Sequence, residues 1–249
     1  MKVIGVIPSR YASVRLPAKP LALICGKPLV QWVWEAARQA RTLDELLVAT
    51  DDDRIASVVR GFGGIAVMTS PDCPSGTDRI AAALSGRAGD IVVNIQGDEP
   101  LMAAANIDAC VEALRADAQA AVSTPMVRIS DPAEIEAPHV VKVVHDAAGY
   151  ALYFSRSPIP NTLRASEAER AEVPVMKHLG LYVYRRDALE KFVALPASRY
   201  ERVEKLEQLR FLENGYRIRM VEVAHDSVSV DTPEDAARVE AILRRQQTP

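Results

Sequence analysis

The densest chemistry in the chain lies between Pro8 and Pro20, in the stretch PSRYASVRLPAKP. Arg10, Arg15 and Lys19 place three cations in it, and Pro8, Pro17 and Pro20 stiffen it. A guanidinium offers a planar fork of donors and an ammonium a compact charge, a combination suited to a polyphosphate. The same composition also describes a solvated basic loop. The prolines weigh toward an anion, because they hold like charges together at a cost that a bound phosphate relieves. Neither GxxxxGK[ST] nor GxGxxG occurs, so the stretch is neither a P-loop nor a dinucleotide fingerprint.

A second centre is Asn94-Ile95-Gln96-Gly97-Asp98-Glu99-Pro100, where an apolar run meets adjacent acids. Such a strand end suits a hard cation held by oxygens, and Gly97 would let the backbone approach a substrate closely. A turn with solvated acids is the plainer alternative. Asp231, in VSVDTPED, reads on spacing as part of a helix start: Asp231 or Thr232 caps, Pro233 opens, and Glu234 and Asp235 favour the dipole. In Ser75-Gly76-Thr77-Asp78-Arg79, hydroxyls and amides are placed to meet base or ribose oxygens, although Thr77 is equally an N-cap. His139, His145, His178 and His225 show no zinc-ligand spacing, and no GxSxG elbow or cysteine-nucleophile signature appears.

Short apolar runs alternating with helical stripes must position these residues. Val3–Ile7, Leu46–Ala49, Ile65–Met68 and Asp90–Gln96 read as strands. Between them, Pro28–Ala40 carries the stripe Leu29, Val30, Val33, Trp34, Ala37, Asp51-Asp52-Asp53 opens a helix closing near Gly61, and Thr77–Leu84 is a third helix; Ala104–Leu114 follows the fourth strand. This alternation predicts a mainly parallel sheet covered on both faces. After about residue 118 the rhythm changes. Val140–Val144, Tyr150–Phe154, Leu179–Tyr184 and Arg217–Val223 read as strands, and Arg199–Leu212 and about Pro233–Arg244 as helices. Ser157–Val175 exceeds the usual loop length and reads as a lid or interface arm.

The chain has 249 residues with 49% hydrophobic and 25% charged, the balance of a globular protein with one sizeable core. Its net charge of -3 argues against a global attraction to nucleic acid or anionic lipid. The three cysteines, Cys25, Cys73 and Cys110, have no CxxC spacing, and the N-terminal apolar run is too short for a secretory signal or membrane helix. A reducing cytoplasm is the expected compartment.

Taken together, these segments resemble the 3-deoxy-manno-octulosonate cytidylyltransferases, the bacterial CMP-Kdo synthetases. The resemblance runs from Ile7 to about Val239. It rests on the order and spacing of RYASVRLPAKP (Arg10–Pro20), Gly26-Lys27-Pro28, SGTDR (Ser75–Arg79), VNIQGDEP (Val93–Pro100) and VVKVV (Val140–Val144). GYALYFSR (Gly149–Arg156), HLGLYVYR (His178–Arg185), LEQLR (Leu206–Arg210) and VDTPED (Val230–Asp235) complete the series. Two departures stand out: Ala18 replaces the usual glycine of RLPGKP, adding a methyl near the phosphate loop, and Cys73 lies where a histidine often precedes SGT.

The resemblance implies an α/β fold similar to the nucleotide-diphospho-sugar transferases, with a mixed, mainly parallel sheet, helices on both faces and a β-rich insertion. Residues 1–249 would form one domain, with a dimerisation and sugar-binding insertion at about 120–185. It implies transfer of CMP from CTP to the anomeric hydroxyl of 3-deoxy-D-manno-octulosonate (Kdo), yielding CMP-Kdo and pyrophosphate for lipopolysaccharide biosynthesis. Residue-by-residue matching puts Pro8, Arg10, Ala12, Arg15, Lys19, Ser75 and Arg79 around CTP, with Arg10, Arg15, Lys19 and Asp98 serving catalysis. Asp98 and Asp231 match the ligands of Mg²⁺, which revises the capping reading of Asp231. Gln96, Arg156, His178, Tyr182, Glu207 and Gln208 match the sugar-binding set. A cytoplasmic homodimer with no nucleic-acid or membrane partner is implied. The rivals are a cytidylyltransferase for another acid sugar, such as 8-amino-Kdo or a sialic acid, and a non-catalytic nucleotide-binding module.

Overall fold

The computed structural model describes residues 1–12 and 16–247. The chain divides into two compact units, Met1–Asp108 with His225–Pro249, and Ala109–Ala224. The expected insertion at about 120–185 falls inside the second. The first unit runs β1 (Val3–Ser9), β2 (Leu23–Ile24), β3 (Lys27–Pro28), α1 (Leu29–Ala37), β4 (Glu45–Thr50), α2 (Asp53–Gly61), β5 (Ile65–Met68), α3 (Gly76–Ala83) and β6 (Ile91–Ile95). Helix α4 (Ala104–Ala116) leads into the second unit.

Four strands of the first unit are parallel in the order β5-β4-β1-β6. The inner strands are apolar runs because helices cover both faces: β6 is buried throughout and β1 nearly so, whereas the edge strand β5 is partly exposed. Helix α1 buries the stripe that its spacing predicts, Leu29, Val30, Val33, Trp34 and Ala37. The strand order reverses between β1 and β6, so their carboxyl ends flank the crevice where open parallel sheets bind ligands.

The second unit runs β7 (Val122–Arg128), α5 (Pro132–Glu136), β8 (Lys142–His145), β9 (Ala151–Ser155), α6 (Glu167–Glu172), β10 (Met176–His178), β11 (Leu181–Arg185), α7 (Arg186–Ala194), α8 (Arg199–Glu204), α9 (Gln208–Glu213) and β12 (Ile218–Glu222). Strand β7 is its centre, antiparallel to β10 and β11 and parallel to β12, and β8 joins β10 to β9. Helix α10 (Pro233–Gln247) then returns to the first unit.

Sequence patterning misses β7 and α7. Pro125 lies inside β7, a position that normally argues against a strand; here its carbonyl accepts from Leu179, between the end of β10 and the start of β11, where the flanking ladder is already interrupted. The single helix expected over Arg199–Leu212 is two, α8 and α9, parted at Lys205 with φ 56°. The arm expected at Ser157–Val175 contains α6, closed by a reciprocal capping box between Ser166 and Glu169.

Ala18 lies in the left-handed region, φ 51° and ψ 35°, and its carbonyl accepts from Leu21 N at 2.8 Å to form the 3₁₀ turn Lys19–Leu21. That conformation costs an L-residue roughly 1–2 kcal/mol and glycine almost nothing. The departure from RLPGKP is therefore a matter of backbone strain as well as an added methyl. Ala18→Gly should raise the unfolding free energy by about 1 kcal/mol, read as a higher urea midpoint at unchanged slope.

Candidate active site

The crevice is built from the ends of β1 and β6. After Ser9 comes exposed Arg10; after Ile95 come Gln96, Gly97 and Asp98. A Cβ at Gly97 would sit 2.7 Å from the Pro8 carbonyl oxygen and 3.3 Å from Ser9 Oγ. The glycine thus permits the close approach of the two strand ends to each other. A cleft of about 420 Å³ opens here, lined by Pro8, Arg10, Lys19, Ser75, Arg79, Asp98 and Asp231 of the CTP and metal sets, and by Gln96 of the sugar set. Ala12 is exposed, and Arg15 lies outside the described residues.

Lys19 Nζ donates to Asp98 Oδ2 at 2.7 Å and to Asp231 Oδ1 at 3.0 Å. Burial alone would lower the Lys19 pKa, but charge and hydrogen bonding from Asp98, joined by those from Asp231, outweigh it and raise it. The ammonium therefore stays charged. The two carboxylates meet because Val230 N donates to the Asp98 carbonyl at 2.8 Å, tying the two loops together. The choice of cap for α10 is also settled: Asp235 N donates to Thr232 Oγ1 at 3.2 Å, and Asp235 Oδ2 accepts from the amides of Asp231 and Thr232 at 3.0 and 2.9 Å. Thr232 and Asp235 close the helix end, and the Asp231 side chain turns to Lys19.

At the other wall, Ser75 rather than Thr77 caps α3, accepting from Thr77 N and Asp78 N at 3.1 and 3.2 Å. Arg79 is almost wholly buried, with Nη1 on Thr69 Oγ1 at 2.7 Å and Nη2 on Asp51 Oδ2 at 3.0 Å. Ser9, absent from the sequence-derived set, also lines the cleft; it is 2% exposed and its hydroxyl has no hydrogen-bond partner among the described residues. A buried hydroxyl left unpaired costs about 1–3 kcal/mol. The sequence signal for Ser9 is its place as the last residue of a buried strand, next to the first arginine.

Gln96 donates to Asn94 Oδ1 at 3.0 Å in the first unit, and the other five sugar-set residues belong to the second. Arg156 Nε and Nη1 donate to the carbonyls of Glu204 and Pro138 at 2.8 and 3.0 Å, which fixes the plane of the guanidinium. Its own amide donates to the Glu204 carboxylate at 3.0 Å, and Ser155 Oγ does so at 2.7 Å. Tyr182 OH donates to Gln208 Oε1 at 3.1 Å, while buried Gln208 Nε2 has no partner among the described residues. Glu207 is the N-cap of α9 and Gln208 its first residue, so the two adjacent side chains sit where a pocket can wrap the helix end. His178, 8% exposed, lies 2.8 Å from Thr124 Oγ1, whose proton goes to the Leu181 carbonyl at 2.6 Å. Nε2 of His178 therefore carries the proton. Burial pushes the imidazole pKa down to about 3, so the ring is neutral.

Comparisons with known proteins identify the family. The cytidylyltransferase family model matches residues 4–218. A Geobacter sulfurreducens protein named 3-deoxy-manno-octulosonate cytidylyltransferase is 50% identical over 245 residues, 96% of this chain and 98% of its own. A Syntrophotalea carbinolica protein of the same name is 50% identical over 248 residues, 98% of this chain and 99% of its own. Among solved structures, a CMP:2-keto-3-deoxy-manno-octonic acid synthetase in complex with CTP superposes with a TM-score of 0.91 at 42% identity, covering 99% of this chain and 100% of that one. A 4-diphosphocytidyl-2C-methyl-D-erythritol synthase from Anaerococcus prevotii, at TM-score 0.65 and 13% identity over 98% of this chain and 99% of that one, shares the fold alone. With half its residues identical over nearly the whole length of such relatives, the chain belongs to the 3-deoxy-manno-octulosonate cytidylyltransferase family.

Proposed function

We infer that this chain transfers CMP from CTP to the anomeric hydroxyl of Kdo, releasing pyrophosphate. The observation that carries the reading is the cluster of Lys19, Asp98 and Asp231 in the cleft at the strand-order reversal. Nucleotidyl transfer depends on alignment and charge neutralisation, with little covalent work for the protein. Arg10 and Lys19 hold the triphosphate and offset the charge that grows on departing pyrophosphate, and Arg15 joins them from the same loop. Pro8 and Ala12 contribute loop backbone; Ser75 and Arg79 border cytosine and ribose.

Asp98 and Asp231 fit a hard divalent cation, Mg²⁺ by preference. Both offer oxygens, both reach one point, and among the described residues they belong to no cluster of three or more His, Cys, Asp or Glu. The remaining positions then fall to phosphate oxygens and water, as Mg²⁺ favours. The chemistry such an ion supplies is neutralisation of phosphate charge and a lower pKa for a coordinated hydroxyl. On the sugar side, Arg156 pairs with the Kdo carboxylate, and Tyr182, Glu207 and the amide of Gln208 read its hydroxyls. His178 takes part as a neutral hydrogen-bonding ring rather than a base. The reading extends to a cytoplasmic homodimer; Leu152, Tyr200 and Val203 of the second unit, 60%, 50% and 80% exposed, offer an apolar face for self-association.

Purified protein with CTP, Mg²⁺ and Kdo should release pyrophosphate, and turnover with 8-amino-Kdo or a sialic acid but not Kdo would overturn the substrate assignment. Asp98→Asn should cut that turnover at least a hundredfold, about 2.7 kcal/mol of barrier, with an unchanged circular dichroism spectrum. Arg156→Ala should raise KM for Kdo at least tenfold through loss of a charged hydrogen-bond partner, leaving KM for CTP within about twofold. His178 lowers stability as pH falls below its ordinary 6.5, since the unfolded ring gains a proton that the folded ring refuses until about 3. Between pH 6 and pH 4, His178→Gln should therefore lose stability less steeply than the parent, by up to about 1.4 kcal/mol per pH unit, as measured by urea denaturation.

A further inference from the structure

We propose that Asp51 is the positioning residue of the nucleotide cleft, one carboxylate that fixes both the basic loop after β1 and the guanidinium of Arg79. The proposal rests on the reading of this cleft as the CTP site. Asp51 follows directly on Thr50, the last residue of β4, and its side chain is 12% exposed. Oδ1 accepts from Tyr11 N at 3.1 Å, and Oδ2 accepts from Arg79 Nη2 at 3.0 Å. Of the three consecutive aspartates, only Asp52 caps α2, accepting from Arg54 N, and Asp53 lies exposed in the first turn. Asp51 is the member that the helix does not need.

Each side of this clamp is secured a second time. Tyr11 is held through its ring, which lies 3.5 Å from the Arg54 guanidinium, and Arg54 is itself forked onto Asp52 at 2.9 and 2.6 Å. Arg10, the first cation of the loop, immediately precedes the pinned amide. Arg79 is anchored by Thr69 Oγ1, and Thr69 is tied by its amide and hydroxyl to the Thr50 carbonyl at 2.8 and 3.1 Å. The guanidinium plane is thus set across the carboxyl ends of β4 and β5.

A buried guanidinium without a counter-charge would be costly, and here it lines the same cleft as Arg10 and Lys19. The Asp51 carboxylate meets that need from behind. It leaves Arg10 for the nucleotide and fixes the backbone beside it before the nucleotide arrives, which is where preorganised sites gain their advantage.

The test uses the full chain and its Asp51→Asn and Asp51→Ala variants. CTP affinity is read by calorimetry, steady-state kinetics are run for both substrates, and the Tyr11 amide is followed by hydrogen exchange. Asparagine keeps an acceptor for the Tyr11 amide but loses the charge facing Arg79, so CTP should bind about tenfold more weakly while the amide stays protected. Alanine removes both contacts, and CTP affinity should fall about a hundredfold with protection lost. KM for Kdo should stay within about twofold in both variants. The isosteric asparagine variant, combined with Arg79→Gln in a double-mutant cycle, carries the test should the alanine variant not fold; the double variant should lose no more CTP affinity than Arg79→Gln alone. CTP affinity within about twofold of the parent, equal weakening of both substrates, or additive losses in the cycle would overturn the proposal. Failure of the unaltered chain to bind CTP would instead overturn the reading of the cleft.

Discussion

Two aspartates from distant parts of the chain are held within hydrogen-bond reach of one ammonium, and the shape of the first unit follows from that convergence. Like charges drawn together in a half-buried crevice repel unless a cation stands between them. Lys19 supplies it in the free protein, launched from the strained turn at Ala18. The bond from Val230 N to the Asp98 carbonyl holds the two loops in register, and the capping of α10 by Thr232 and Asp235 frees Asp231 to face inward. The cleft proposed to accept a triphosphate and a divalent cation thus begins with both carboxylates partnered. Bringing in ligand exchanges partners for these groups and does not uncover bare ones.

Much of this was legible in the sequence because it is local. The buried runs of β1 and β6, the stripe of α1 and the acids at the end of β6 all announce themselves within about ten residues. The pairing of Asp98 with Asp231 does not, since only resemblance brings together residues so far apart in sequence. Spacing offers Asp231 or Thr232 as the cap, and no periodicity tells that Thr232 takes that duty. Asp51 was hidden in the same way, inside an acidic run that a helix start explains without remainder. Strand β7 escaped because Pro125 argues against a central strand until the break between β10 and β11 is seen. The division of α8 from α9 at Lys205 escaped because a left-handed lysine carries no sequence signature.

Two cations of the second unit, Lys142 and Arg156, are held by backbone carbonyls. Lys142 is fully buried, and its three protons go to the carbonyls of Ala137, Val140 and Arg156 at 3.0, 2.6 and 2.6 Å. Burial pushes its pKa down; Glu136 and Glu204 pull it back, and Arg156 opposes them. Arg156 leans on carbonyls as well, and Glu204 secures the peptide that carries it. Dipoles of the backbone thus orient the Lys142 ammonium and the Arg156 guanidinium.

The first unit is discontinuous: its chain leaves after Asp108 and comes back at His225 with the segment that holds Asp231. A ribosome therefore releases Lys19 and Asp98 long before their third partner exists. The nascent crevice has to wait through the synthesis of the whole second unit, with one carboxylate missing and no α10 to pack beside it. Completion of the proposed nucleotide cleft is consequently a late event in biogenesis, timed by the tail of the polypeptide, and a translation product arrested before Asp231 would carry the loop and most of the sheet yet lack the means to close the charge cluster.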